Sequence, residues 1–459
     1  MGALLLIKWV NRRFRSGFGK REGIQGVRVE SSGPPKGWRK VATATGLLAV
    51  LTILILGYCL LSAANARATY DSEQLQLHYH SCILWLPHSY ESQSTWWALW
   101  HYLALALIFW ATRDWLLNGL RAEADSETDV EDRDRISRST SRLPKRLRRL
   151  LWLVCLNGAL LGMEGILQRI DGGGKLLWLV EPEIHKEAQT QFGPYAYRSN
   201  AAQYFVLLWP VCLGFWWLLN RTPARRRGAE GEPRARAYGV LLPCAMLMLA
   251  CVIASLSRAG ALVAFGQIGA AWLILLIGTR WRNWQLLFGI SALLLGAMAL
   301  AGYFEWEALT NRFGGLFHDP MGGRAEIYEH ARRMARDFAV LGSGPKTFAP
   351  LYEFYFSTPD QYWAAQVHND WLETWITFGV VGMGLILMAL LQIFCRYFGR
   401  GGTGVPWPFV AFIWLGLVGC LVYGAADFPF QVPSILFLFL LLCSIAFTFS
   451  RGPTCDSRR

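Results

Sequence analysis

Charge is what this sequence has least of. Asp, Glu, Lys and Arg make up 17% of its 459 residues, against roughly a quarter in soluble domains. Acids are the scarcer sign, 32 against 45 bases. There is no CxxC pair, so neither a zinc knuckle nor a redox motif is supported. Ten cysteines occur, but Cys155, Cys212, Cys244, Cys251, Cys420 and Cys443 lie inside apolar runs, and only Cys82 is clearly in a polar loop. A disulfide framework is therefore not indicated. A phosphate-cradling loop is missing too. Gly342-Ser343-Gly344-Pro345-Lys346 has glycines and a lysine, but the spacing is wrong and Pro345 removes an N–H donor. No internal repeat stands out.

Apolar sequence is abundant instead: 53% hydrophobic, with 22 Trp. Ten runs are long enough to cross a bilayer core of about 30 Å: about 43–64, 95–112, 150–167, 202–219, 238–256, 260–278, 284–303, 371–392, 406–425 and 433–449. The stretch 238–278 is too long for one helix and is split by a hairpin at Ser257-Arg258-Ala259-Gly260. The expected fold class is an all-α polytopic integral membrane protein with about ten transmembrane helices and one large external loop.

Charge sets the orientation. With the N-terminus inside, the inner segments hold 33 Lys and Arg and the outer ones 12. That bias puts both termini in the cytoplasm and explains the net charge of +13 without nucleic acid. The expected organisation is a basic cytoplasmic segment at 1–42, a membrane domain at 43–449 and a cytoplasmic tail at 450–459. The membrane domain includes a charged cytoplasmic linker at 121–149 and an external loop at 304–370. Ala64-Asn65-Ala66 resembles a signal cleavage site, but the long charged leader argues for an uncleaved span. In the external loop, Arg324 to Phe338 reads as an amphipathic helix on Ile327, Tyr328, Ala331, Met334, Ala335 and Phe338, placed along the membrane surface.

Three side chains stand out on the outer side. His368 precedes the 371–392 span, where a neutral imidazole can take a proton from a hydroxyl. Asp370-x-x-Glu373 after it reads as a helix cap. Arg324 opens the external helix, although a cation there opposes the helix dipole. Arg258 stands in an outer turn where the positive-inside bias disfavours charge; a guanidinium forks two oxygens, as a diphosphate requires. Weaker candidates are Arg198 before the fourth span, Lys346 in the glycine-rich segment and Asp427 between the last two spans. Glu164, Gln168 and Arg169 end the third span. His78, His80 and His88 lack a clear metal-site pattern, so no metal is expected.

These pieces, in this order, resemble the O-antigen ligase and O-antigen polymerase superfamily of membrane glycosyltransferases. The resemblance rests on Ser255-Leu256-Ser257-Arg258-Ala259-Gly260, on Arg324-x-x-x-Tyr328, and on Leu341-Gly342-Ser343-Gly344 with Phe348. It continues in Val367-His368-Asn369-Asp370-x-Leu372 with Gly379-Val380-Val381-Gly382. Gly193-Pro194-Tyr195 through Asn200-Ala201-Ala202, and Asp427-Phe428-Pro429 through Pro433, are similar to flanking segments of that family. It covers roughly 190–450 and is strongest over 250–390.

It implies a GT-C-like helical fold in the bacterial cytoplasmic membrane, with the active site facing the periplasm. The implied donor is a polyprenyl-diphosphate-linked glycan, used without cofactor or metal. His368 would be the base, and Arg258 and Arg324 would bind the diphosphate. The acceptor would be lipid A core, another glycan (a polymerase) or a protein hydroxyl (an oligosaccharyltransferase). A transporter or flippase is the non-enzymatic alternative. It would place charge near the midplane of the membrane, whereas these spans are nearly charge-free.

Overall fold

The computed structural model describes residues 36–71, 73–74, 76–128, 143–183, 187–221, 238–279, 291, 296, 324–355, 364–398 and 405–449. All of the expected span 284–303 except 291 and 296, the segment 304–323, most of the N-terminal basic segment and the C-terminal tail lie outside them.

Helices occupy the positions of the other nine expected spans or overlap them: α1 Lys36–Ala64, α2 Ser92–Thr128, α3 Lys145–Asp171, α4 Arg198–Arg221, α5 Leu241–Ala254, α6 Arg258–Thr279, α9 Asp370–Phe398, α10 Trp407–Tyr423 and α11 Pro433–Thr448. Among the described residues, five of them, within α1, α3, α4, α6 and α9, are long and apolar enough to cross a membrane, while α5, α10 and α11 are shorter apolar helices. Helix extends into both ends of the expected 121–149 linker. Helix runs through Thr128 and resumes at Lys145, because Ala122-Glu123-Ala124 continues α2 with good helix formers.

The bundle is apolar outside as well as inside. The outward positions of a soluble helix would be polar, yet Ile53 on α1, Leu153 on α3, Leu262 on α6 and Leu391 on α9 are exposed. Outward apolar faces suit lipid. α4 is the exception, wrapped on all sides by α5, α6 and α10. It carries Pro210, which has no N–H for the carbonyl of Val206 one turn back. Gln267 on α6 supplies the missing donor: its Nε2 reaches Val206 O and Leu415 O, each at 3.0 Å, while its Oε1 accepts from Trp209 Nε1 at 2.8 Å. One buried amide thus joins three helices, and removing it would leave buried carbonyls unpaired at roughly 1–3 kcal/mol each.

The chain is not purely helical. β1 (Ala68–Asp71) and β2 (Gln76–Tyr79) form an antiparallel hairpin with Ala68 opposite Tyr79. Asp71 closes its turn, accepting from the backbone N–H of Glu73 and Gln74 at 2.9 and 3.2 Å. These backbone bonds pull the Asp71 carboxyl below its usual range.

The external helix, α7, spans Ala325–Asp337, one residue inside the expected range at each end. Its apolar face packs against protein. Ala331, Met334 and Ala335 pack with Phe348, Leu351 and Tyr352 of a short helix, α8 (Phe348–Tyr352), and with Val367 and Ile376. The segment between α7 and α8 docks on α9 through the backbone: Ser343 N donates to Ile376 O and Gly344 N to Thr377 O, while Val380 N donates to Ala339 O. Two glycines allow this. Gly342 and Gly379 have φ of +71° and +60°, and a Cβ on either would strike the opposing backbone.

Candidate functional site

His368 has φ +58°, a conformation that costs a non-glycine residue of order 1–3 kcal/mol. The turn it makes shifts the helix cap by one residue. Asn369 Oδ1, rather than Asp370, accepts from the N–H groups of Trp371 and Leu372, both at 3.1 Å. Glu373 reaches back to Val367 N at 3.0 Å. Asp370 instead binds the turn between α10 and α11: its carboxylate accepts from Phe430 N and Gln431 Nε2, and its N–H donates to Gly424 O.

That docked turn carries Asp427, and its carboxylate lies 3.0 Å from His368 Nδ1. Asp427 is 2% exposed. An ionised carboxylate only accepts, so the bond puts the imidazole proton on Nδ1 and leaves the Nε2 lone pair free. The His368 ring meets the Phe428 ring edge-on at 4.9 Å and the Tyr197 ring at 6.1 Å, and Tyr197 stacks on Phe428 at 5.6 Å. His368 O accepts from Tyr328 on α7 at 3.1 Å. The ring is fixed in plane and position, with its side chain about a quarter exposed at 23%.

Arg324 joins the same cluster. Its Nη1 donates to Ala426 O at 2.7 Å and its Nη2 to the Tyr197 hydroxyl at 3.2 Å. Burial is the largest influence and works against its charge, but Asp427, Tyr197 and Tyr328 together outweigh it, and its pKa is raised. Burial also pushes the Tyr197 hydroxyl up, with Asp427 adding to it and Arg324 opposing.

Arg258 is brought to this end of the bundle less directly. It is the first residue of α6 rather than part of a turn, because the chain reverses at Ser255–Ser257 with Leu256 at φ +55°. Ser257 caps α6 through Gly260 N at 3.3 Å and hydrogen-bonds the Tyr423 hydroxyl. Tyr423 O in turn accepts from Asp427 N at 3.0 Å. Arg258 Nε is buried and has no hydrogen-bond partner among the described residues.

The weaker candidates separate. Arg198 is occupied structurally, donating to Gln189 O at 2.8 Å. Arg169 ties α3 to Ala254 O, and Gln168 bonds Lys175 O. Both Glu164 oxygens are buried without a hydrogen-bond partner among the described residues. Lys346 lines a cavity with Asp370, Glu373 and Thr377, and His368 is not part of that lining. His78 faces Asp71 at 3.6 Å, and His80 faces Thr69. Sequence alone does not single out Tyr197 or Tyr423, and Phe428 stands there only as part of the quoted Asp427-Phe428-Pro429 segment. Tyr197 sits inside the quoted 193–202 segment, whereas Tyr423 is one of many aromatics ending a span.

Residues 243–387 match the family model for O-antigen ligase. The segment is O-antigen ligase-like. It holds Arg258, Arg324, Lys346 and His368, while Arg198, Tyr197 and Asp427 lie outside it. A search of curated proteins finds no match.

Proposed function

We propose that the chain is a glycosyltransferase that moves a glycan from a polyprenyl-diphosphate carrier to an acceptor hydroxyl at the outer face of the bacterial cytoplasmic membrane. The observation that carries this reading is the His368–Asp427 pair beside Arg324. The pair supplies a base of fixed tautomer. The guanidinium of Arg324 beside it, with the buried Nε of Arg258 at the same end of the bundle, unpartnered among the described residues, suits an anion.

His368 Nε2 takes the proton of the acceptor hydroxyl. The oxygen bonds to the anomeric carbon as the bond from that carbon to the diphosphate breaks, and the electron pair leaves on the diphosphate. Attack opposite the leaving group inverts the anomeric centre. Diphosphate is a good leaving group, so its developing charge needs cations more than a protonating acid. Arg324 and Arg258 meet that need, and one such electrostatic contact is worth about 3–4 kcal/mol in a water-poor site. Asp427 is a positioning residue: it holds the imidazole and stabilises the imidazolium that forms. The chemistry requires no metal. Lipid A core, a second glycan and a protein hydroxyl are the acceptor classes; the one that accumulates unglycosylated in a deletion strain identifies it.

The test is purified protein with a polyprenyl-diphosphate glycan and each acceptor in EDTA. Transfer with inverted anomeric configuration is expected, and Arg324→Lys and Arg258→Lys should each lose most of it because an ammonium cannot fork two oxygens. Retention of configuration, or activity that EDTA abolishes, would overturn the reading.

A further inference from the structure

A cavity lies between α1, α2, α9 and α11 and reaches the start of α9 at one end, with a volume of about 250 Å³. That is below the roughly 300–1,000 Å³ of pockets that enclose whole small molecules. Its walls are hydrocarbon along the helices, and its two ends differ in charge. At the His368 end stand Lys346, Asp370 and Glu373: two carboxylates and one ammonium.

The far end is cationic. Three helices each place a polar group one turn beyond a wall residue: Thr45 beyond Leu48, Arg113 beyond Trp110, and Arg396 beyond Ile393. Arg113 Nη2 donates to Thr45 Oγ1 at 3.1 Å. The Arg113 guanidinium lies 5.6 Å from the Trp110 ring, and both guanidinium groups lie 5.7 Å from the buried Phe447 ring. A shared ring holds two cations near each other, which cation–π attraction supports. Arg396 Nε is buried with no hydrogen-bond partner among the described residues. A rise of about 1.5 Å per residue puts Arg113 ~27 Å along α2 from Thr95, whose hydroxyl binds Pro345 O at the His368 end.

We propose that this groove holds one acyl chain of an anionic phospholipid, with its phosphate on Arg113 and Arg396 in the leaflet opposite His368. Charge complementarity decides the orientation. A phosphate is forked by two guanidinium groups at the far end, whereas at the His368 end the single cation, Lys346, stands beside the carboxyls of Asp370 and Glu373. By the positive-inside bias that leaflet is the cytoplasmic one, whose anionic lipids attract such cations. The site is independent of the transfer chemistry and serves to fasten α1 and α2 to α9.

The test uses the full chain, delipidated in a neutral detergent, with dioleoyl phosphatidylglycerol, dioleoyl phosphatidylcholine or polyprenyl phosphate added. Phosphatidylglycerol should raise Tm by a few degrees, phosphatidylcholine should not, and native mass spectrometry should show one phosphatidylglycerol retained. The double variant R113Q/R396Q should lose both the shift and the retained lipid. If that variant fails to fold, Leu390→Trp, which fills the groove and leaves the arginines, should lose the retained lipid instead. Equal shifts from both phospholipids, an undiminished shift in R113Q/R396Q, retention in Leu390→Trp, or a response to polyprenyl phosphate alone would each overturn the proposal.

Discussion

Asp427 and Asp370 are both buried carboxylates at the same end of the molecule, and they do different work. Asp370 is 1% exposed and binds Phe430 N and Gln431 Nε2. It holds a turn. Asp427 is 2% exposed and binds the imidazole of His368. It holds a base. Burial alone does not distinguish a structural acid from a functional one; the partner does. A backbone N–H has a single protonation state at neutral pH, while an imidazole can change its state, so a carboxylate bound to one can influence a reaction. The two are linked, because the turn that Asp370 anchors is the one that carries Asp427.

That contrast can be broken by mutation. The largest effect is expected from His368→Ala, which should lower the transfer rate by about 10²–10⁴-fold, the range for a general base, while Tm measured in detergent stays near wild type. Asp427→Asn keeps the shape but allows the wrong imidazole tautomer; transfer should fall by on the order of 10²-fold, again with little change in Tm. Asp370→Ala should show the opposite balance. It leaves Phe430 N without its acceptor and costs about 1–3 kcal/mol, seen as a clear drop in Tm. If Asp427→Asn lowered Tm more than Asp370→Ala, the division of roles would fail. The smallest effect belongs to Arg333→Ala. Its pair with Glu329 at 2.6 Å is exposed on both sides, so neither rate nor Tm should change measurably.

The positions of His368, Arg324 and Arg258 at one end are legible in the sequence, because hydropathy and charge bias constrain which span ends face the same way. The contacts that join them are not. Asp427 and His368 are separated by two helices, and Ser257 meets Tyr423 across most of the C-terminal half; no local pattern encodes such pairs. Lys346 follows the glycine-rich segment, and the backbone docking of Gly342 against Gly379 accompanies its place beside Asp370 and Glu373. Asp370-x-x-Glu373 has the spacing of a cap, and the left-handed turn at His368 moves the cap to Asn369. The hairpin at 68–79 escapes sequence reading because each strand has only four residues, too few for alternation to show.

The central claim is that His368 is the base and that Asp427 acts through it. The direct measurement is a double-mutant cycle on the transfer rate with His368→Ala, Asp427→Asn and the combined variant. If the claim holds, the combined variant is no slower than His368→Ala alone, because an orienting carboxylate has nothing left to orient. Losses that multiply, or a His368→Ala variant as fast as wild type, would contradict it.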